Sequence, residues 1–303
     1  VAAVEPRDAD VWAERFLGML DGFRFLPGGR ILAGAGTERR VTLLNCFVMG
    51  ALADDLEHIF DALKEGALTM QHGGGVGYDF SPLRPAGMVA HASGTIASGP
   101  VSFMRIWDAM CATMLSTGAR RGAMMATLAC DHPDIETFID AKRDAAELRH
   151  FNCSVLVSDA FMRAVADDAD WPLVFASETQ RTVKARALWT RLMRAAYDTA
   201  EPGVLFVDTI NRDNTLAGIE SLAATNPCGE IPLPPYGACD LGSLNLAAVV
   251  HAPFESDAAF DHAALDDAPR TAVRLLDDVI DASRYPLPAQ AAEARAKRRV
   301  GRG

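Results

Sequence analysis

Two short stretches hold side chains whose types and spacing could do chemistry. Thr225-Asn226-Pro227-Cys228-Gly229-Glu230 sets one thiol between an amide and a carboxylate. Pro227 fixes the backbone before the thiol and Gly229 frees it after, so the three side chains can converge at a loop tip. Further on, in Tyr236-Gly237-Ala238-Cys239-Asp240-Leu241-Gly242-Ser243-Leu244-Asn245-Leu246, a second cysteine opens an alternating apolar run that reads as a strand. A cysteine taken alone is most often a small buried apolar side chain. The neighbours of Cys228 point elsewhere. A carboxylate beside a thiol does not lower its pKa, so thiolate attack of the hydrolase type, which needs a nearby cation or imidazole, is poorly served. A carboxylate can take a proton from a substrate hydroxyl, an amide can hold an oxygen in place, and a protonated thiol can give up a hydrogen atom in radical chemistry.

The elements that must position these groups belong to a chain of 303 residues, long enough to bury roughly three-quarters of its unfolded surface. A formal charge of −11 argues against binding a nucleic-acid polymer or an anionic membrane, both of which need a net basic surface. A phosphorylated ligand would need local cationic pockets. No run reaches about 18 uninterrupted apolar residues, and the first ten residues lack a signal-peptide apolar core, so a cytoplasmic protein is expected. The six cysteines are too sparse for a disulfide-stapled secreted scaffold and form no Cys-x-x-Cys pair, so no metal site is expected. A thiol pair that cycles between reduced and oxidised states requires Cα atoms within about 7 Å.

Strand and helix signals alternate along the chain, which points to an α/β fold with a mainly parallel sheet. Apolar spacing predicts a helix over 9–20, ending near Gly22, and the Gly-rich run 25–37 reads as irregular. The stretch 41–49, with Asn45 and Cys46, reads as a buried strand. Asp54 or Asp55 caps a helix whose apolar face would use Leu56, Ile59, Phe60, Leu63, Ala67 and Met70. The glycines from Gly73 to Gly77 do not fit the dinucleotide-binding pattern. Ser98-Gly99-Pro100 begins another helix that runs through Val101 to Met114, then comes a turn with Arg120 and Arg121 that suits an anion but is common on surfaces. Asp131 reads as a helix cap, and His132 has no metal-like partner. Phe151 to Val157 reads as a strand with Cys153 in the core, and Cys130 as core too. Further helices are expected over 187–199 and 271–283, a strand over 203–208, and a basic tail after Ala296.

Asn-Pro-Cys-Gly-Glu-Ile-Pro-Leu followed by Ala-Cys-Asp-Leu-Gly-Ser-Leu-Asn-Leu resembles the active-site signature of the ribonucleotide reductase large chain, in its cobalamin-dependent (class II) version. The resemblance runs from about Phe23 to Gly303, and an Arg-Arg-Val-Gly segment near the end is similar to one that lies mid-protein in the family. It implies the first half of a ten-stranded α/β barrel with a central active-site finger loop: residues 1–40 as an N-terminal helix and Gly-rich lead-in, and 41–303 as a barrel domain whose second half would follow.

For mechanism, the resemblance implies that the adenosylcobalamin carbon–cobalt bond breaks and a radical passes to Cys228, whose thiyl removes the ribose 3′ hydrogen. Glu230 would act as base at the 3′ hydroxyl, with Asn226 orienting it. Cys46 and Cys239 would reduce the 2′ position while forming a disulfide. Asn45, Gly75 and Arg121 are carried over as substrate contacts or as part of the loop linking effector to base, and Asp54 and Arg84 as contacts of a deoxynucleotide effector. For these charged positions a solvated surface role is the alternative. Arg30-Ile31 stands where many relatives carry a small hydroxyl residue, so that contact is not carried over. The implied partners are a ribonucleoside diphosphate, a thioredoxin-like reductant, and a second copy of the chain or the missing second half. The rival readings are a class I large chain fed by a separate radical-generating subunit, for which Pro-Cys-Gly-Glu is the less typical wording, and a non-catalytic nucleotide-binding fragment. A thiol hydrolase is disfavoured, because no histidine sits in a supporting motif.

Overall fold

The computed structural model describes residues 1–89, 94, 96–114 and 122–302. From the N-terminus, helix α1 (Ala9–Leu20) leads through strand β1 (Phe25–Pro27) into the short helix α2 (Gly29–Gly34). Strand β2 (Cys46–Val48), helix α3 (Leu56–Gln71), strand β3 (Gly75–Asp79), helix α4 (Pro100–Met114), strand β4 (Met124–Ala129), helix α5 (Ile135–Asp140) and strand β5 (Phe151–Val157) then alternate. After helix α6 (Asp159–Ala166), strands β6 (Asp170–Phe175) and β7 (Glu178–Lys184) make an antiparallel hairpin. Helix α7 (Ala185–Thr199) follows, and strand β8 (Gly203–Phe206) runs directly into helix α8 (Val207–Arg212). The short strands β9 (Ala224–Thr225), β10 (Pro232–Leu233), β11 (Leu241–Leu244), β12 (Val250–His251) and β13 (Ala259–Phe260) precede helices α9 (His262–Ala282) and α10 (Pro288–Lys297) and strand β14 (Gly301–Arg302).

The chain divides into two compact units, one of residues 46–71 and 75–236, the other of residues 1–45, 72–74 and 237–303. The first is built on a five-stranded parallel sheet in the order β2-β3-β4-β5-β8, which gives it the expected α/β character. In β3 the alternation of a strand sorts side chains cleanly. Val76 and Tyr78 are wholly buried, and beyond the strand Phe80 continues their face. Tyr78 and Phe80 each meet the buried Trp107 of α4 edge-on, at 5.6 and 5.5 Å between ring centres. Each such ring contributes about 1.5–3 kcal/mol of burial. The opposite positions, Gly75 and Gly77, carry no side chain at all.

Helix α3 buries only part of the face its apolar pattern indicates, with Leu63, Ala67 and Met70 half-buried. Ile59, Gly66 and Thr69 are buried, while Leu56 and Phe60 are exposed. Tyr78 is the cause: its hydroxyl donates to the Ala62 carbonyl, and a Cβ on Gly66 would lie 2.0 Å from that oxygen. The helix is capped by Asp55, whose Oδ1 accepts the His58 N–H at 2.9 Å, whereas Asp54 is engaged elsewhere. Helix α5 starts after Asp134, not Asp131, and the Asp134 carboxylate accepts the Ala86 N–H instead of capping its own helix. His132 is buried, with Nε2 on the Leu83 carbonyl and Nδ1 accepting the Asp134 N–H.

In the second unit, β1, β11 and β14 form a three-stranded sheet, antiparallel between β1 and β11 and parallel between β11 and β14. The run 25–37, read from its glycines as irregular, therefore holds a strand and a helix. Phe25 is fully buried and paired with Leu244, and Ile31 is buried on α2. The stretch 41–49 forms a strand only over β2. Before it, the Leu43 N–H goes to the Ser283 hydroxyl and the Leu44 N–H to the Thr42 hydroxyl, so side chains take the donors a ladder would use. Helix α9 begins at His262, capped by Asp261, well before Thr271. The C-terminal basic run is not a loose tail: it includes the end of α10 and β14, and Arg298 pairs with Asp277 and Asp281. Among the described residues no helix is long and apolar enough to cross a membrane.

Candidate active site

Strands β9 and β10 pair antiparallel, Thr225 opposite Pro232, and the residues between them form a tight turn. The Asn226 N–H donates to the Ile231 carbonyl at 3.2 Å, and the Gly229 N–H returns to the Asn226 carbonyl at 3.0 Å. Pro227 presets the first central position, and Gly229 takes φ +88°, a conformation that favours glycine. The side chains then sort by function. Asn226 is only 1% exposed, and its amide is used at both ends: Oδ1 accepts the Ile231 N–H at 3.0 Å, and Nδ2 donates to Glu230 Oε2 at 2.8 Å. Cys228 and Glu230 are exposed at the tip. A charge-assisted bond thus holds the carboxylate beside an accessible thiol.

The turn lies against bare stretches of β3. A Cβ on Gly77 would fall 1.8 Å from the Thr225 carbonyl oxygen. One on Gly75 would fall 2.8 Å from Pro227 Cγ and 3.3 Å from Cys46 Sγ. Gly75 is also in register with Cys46 on β2. Gly229 faces Met125 of β4, and Asn152 of β5 donates its Nδ2 to the Pro227 carbonyl at 2.6 Å. Within this unit the structure therefore brings Asn226, Cys228, Glu230, Gly75 and Cys46 to one place. In the other unit, Asn45 and Cys239 are joined directly: the Asn45 N–H donates to the Cys239 carbonyl at 3.3 Å. The Asn45 side chain accepts the Arg30 N–H at 3.2 Å.

A family model described as the ribonucleotide reductase barrel domain matches residues 44–303. The chain belongs to the ribonucleotide reductase family. Over 99% of its length it is 44% identical to the vitamin B12-dependent ribonucleoside-diphosphate reductase of Mycobacterium tuberculosis, covering 43% of that protein. It is 39% identical to the protein of the same name from Thermoplasma acidophilum, with 96% of this chain and 38% of that one covered. It is 31% identical to the vitamin B12-dependent ribonucleotide reductase of Streptomyces clavuligerus, over 98% of this chain and 34% of that one. The chain thus spans less than half the length of these curated relatives.

The remaining charged positions fall as follows. Arg84 and Asp54 clamp each other: Nε to Oδ2 at 2.7 Å, the Arg84 N–H to Oδ1 at 3.1 Å, and Nη2 to the Asp54 carbonyl at 3.0 Å. Arg121 lies outside the described residues. Among the described residues no group of three or more His, Cys, Asp or Glu is placed to hold a metal ion. Burial pushes the thiols of Cys111 and Cys130 up to about 11 and that of Cys153 to about 12, which marks these three as inert core thiols at neutral pH. Met125 and Asn152 were not singled out from the sequence. The available signal was Asn152 itself, an amide near the start of a strand whose other residues are apolar apart from Ser154.

Proposed function

We propose that this chain is the thiol-bearing part of a radical ribonucleotide reductase that converts ribonucleoside diphosphates to deoxyribonucleotides with adenosylcobalamin. The observation that carries the reading is the Asn226–Glu230 hydrogen bond beneath an exposed Cys228. The face that would receive the cofactor is open at Cys228, which is exposed at the tip of the turn. When bound, adenosylcobalamin supplies the radical that makes Cys228 a thiyl.

From there the chain's own residues do the work. The Cys228 thiyl takes the ribose 3′ hydrogen atom, while the Glu230 carboxylate, held by Asn226, takes the 3′ hydroxyl proton. Loss of the 2′ oxygen as water is matched by two electrons and two protons from the thiols of Cys46 and Cys239, which close to a disulfide. Cys228 then returns its hydrogen to the 3′ carbon. The sum is ribonucleotide plus two thiols giving deoxyribonucleotide, disulfide and water. A thioredoxin-like dithiol restores the pair.

Asn45 and Gly75 are substrate contacts in this reading, and Asp54 with Arg84 serve a deoxynucleotide effector, Arg121 lying in the segment that links effector to substrate base. The five-stranded sheet is one set of parallel strands of a ten-stranded barrel, and the turn over Gly75 and Gly77 is its central finger loop. The enzyme works in the cytoplasm, with a second copy of the chain or a further C-terminal half as its partner. The test is anaerobic reduction of cytidine diphosphate by the intact enzyme with adenosylcobalamin, a dithiol and a deoxynucleotide effector. Product from the wild type and none from Cys228→Ser is expected; equal product from both, or none from either, overturns the reading.

A further inference from the structure

Asn152 has no part in the reaction just described, yet its amide reaches the peptide bond next to the reactive thiol. It is the one exposed residue of β5, whose other six are buried. It stands in register with Met125 of β4, which stands in register with Gly77 of β3. Register partners on neighbouring strands point to the same face of a sheet, so these three form a row beneath the turn. Gly77 leaves room for the Thr225 carbonyl, Met125 meets Gly229, and Asn152 Nδ2 donates to the Pro227 carbonyl at 2.6 Å.

That carbonyl belongs to the peptide plane joining Pro227 to Cys228. The pyrrolidine ring fixes the Pro227 φ, so the torsions left to tilt this plane are the Pro227 ψ and the Cys228 φ, and turning them redirects the thiol. We propose that Asn152 is a positioning residue for Cys228: its amide locks the Pro227–Cys228 peptide and so fixes where Sγ points. The proposal rests on the reading of Cys228 as the radical-bearing thiol. A reacting atom misplaced by about 1 Å costs far more in turnover than in binding.

The experiment compares Asn152→Asp, which keeps the shape but cannot donate, Asn152→Ala, and Asn152→Gln, which keeps a donor on a longer arm. Three quantities are measured on the intact enzyme: anaerobic cytidine diphosphate reduction, the melting temperature, and the rate at which iodoacetamide alkylates Cys228 in wild type and Asn152→Ala. In Asp and Ala variants kcat should fall roughly tenfold, with KM for cytidine diphosphate within about twofold. Melting temperature should be unchanged, the Cys228 alkylation rate in the Ala variant should shift severalfold, and Gln should recover part of kcat. An Asp variant with wild-type kcat overturns the proposal, as does a fall in kcat that tracks a fall in melting temperature. Full turnover in Cys228→Ser would instead sink the radical reading, and the alkylation rate would still decide whether Asn152 positions the thiol.

Discussion

Cys153 and Cys228 stand one residue to either side of the same hydrogen bond, that from Asn152 to Pro227, and their situations are opposite. Cys153 follows an exposed residue on a strand, so alternation turns it to the packed face, where it is 3% exposed. Loss of solvent, with the Glu201 carboxylate nearby adding to it, pushes its thiol up to about 12. Cys228 follows a buried proline in a turn and is carried out to the tip. Residue type is the same in both. Backbone context alone separates a core filler from a group that can meet substrate.

The sharpest way to break that contrast is to exchange each sulfur for oxygen. Cys228→Ser should abolish ribonucleotide reduction, a loss of at least about a thousandfold, because a hydroxyl does not yield its hydrogen atom as a thiol does. Cys153→Ser should keep kcat within about twofold and instead cost about 1–3 kcal/mol of stability for the buried hydroxyl, read from denaturant unfolding. Next in size is Glu230→Gln. It retains the shape and the Asn226 contact but not the base, and turnover should drop by about 10²–10⁴ with little change in melting temperature. Thiol labelling of the folded chain sharpens the contrast without turnover. At pH 8 a thiol at about 12 is ionised to only about one part in ten thousand, so Cys153 should resist iodoacetamide until the chain unfolds, while Cys228 labels.

The convergence of thiol, amide and carboxylate was legible because Pro227 and Gly229 flank it in the sequence itself. The strand and helix alternation of the parallel sheet was legible because apolar periodicity survives in short windows. Gly75 and Gly77 were not, since a residue without a side chain shows no period, and what gives them meaning is Thr225 and Pro227, about 150 residues away. The buried face of α3 was legible only in part for a related reason: Ile59 is core as its spacing suggests, and Leu56 and Phe60 look like core too, but the Tyr78 hydroxyl reaching over Gly66 decides the orientation. Asn152 escaped notice because a hydrogen bond to a backbone carbonyl leaves no pattern in its partner's sequence.

Asp240 extends the comparison from thiols to a carboxylate beside the other cysteine, and here the expected effect is smallest. It is 3% exposed, and among the described residues neither carboxylate oxygen has a hydrogen-bond partner, in contrast to the fully used amide of Asn226. Burial, with the Asp277 carboxylate adding to it, pushes Asp240 up to about 8. In an unfolded chain an aspartate titrates near about 3.9. Between about pH 4 and pH 8 the folded chain therefore holds a proton that the unfolded chain has released, so stability falls as pH rises through this window and levels off above it. Asp240→Asn removes the titrating group and keeps the shape. The variant should match the wild type near pH 4.5 and gain on it steadily, by about 1–3 kcal/mol at pH 8, in urea unfolding at each pH. Asp277, Glu293, Arg299 and Tyr285 of the same unit remain in both proteins, so their own titrations largely cancel in the difference. A gain of equal size at both pH values would mean that Asp240 is ionised throughout and that its burial does not govern its proton.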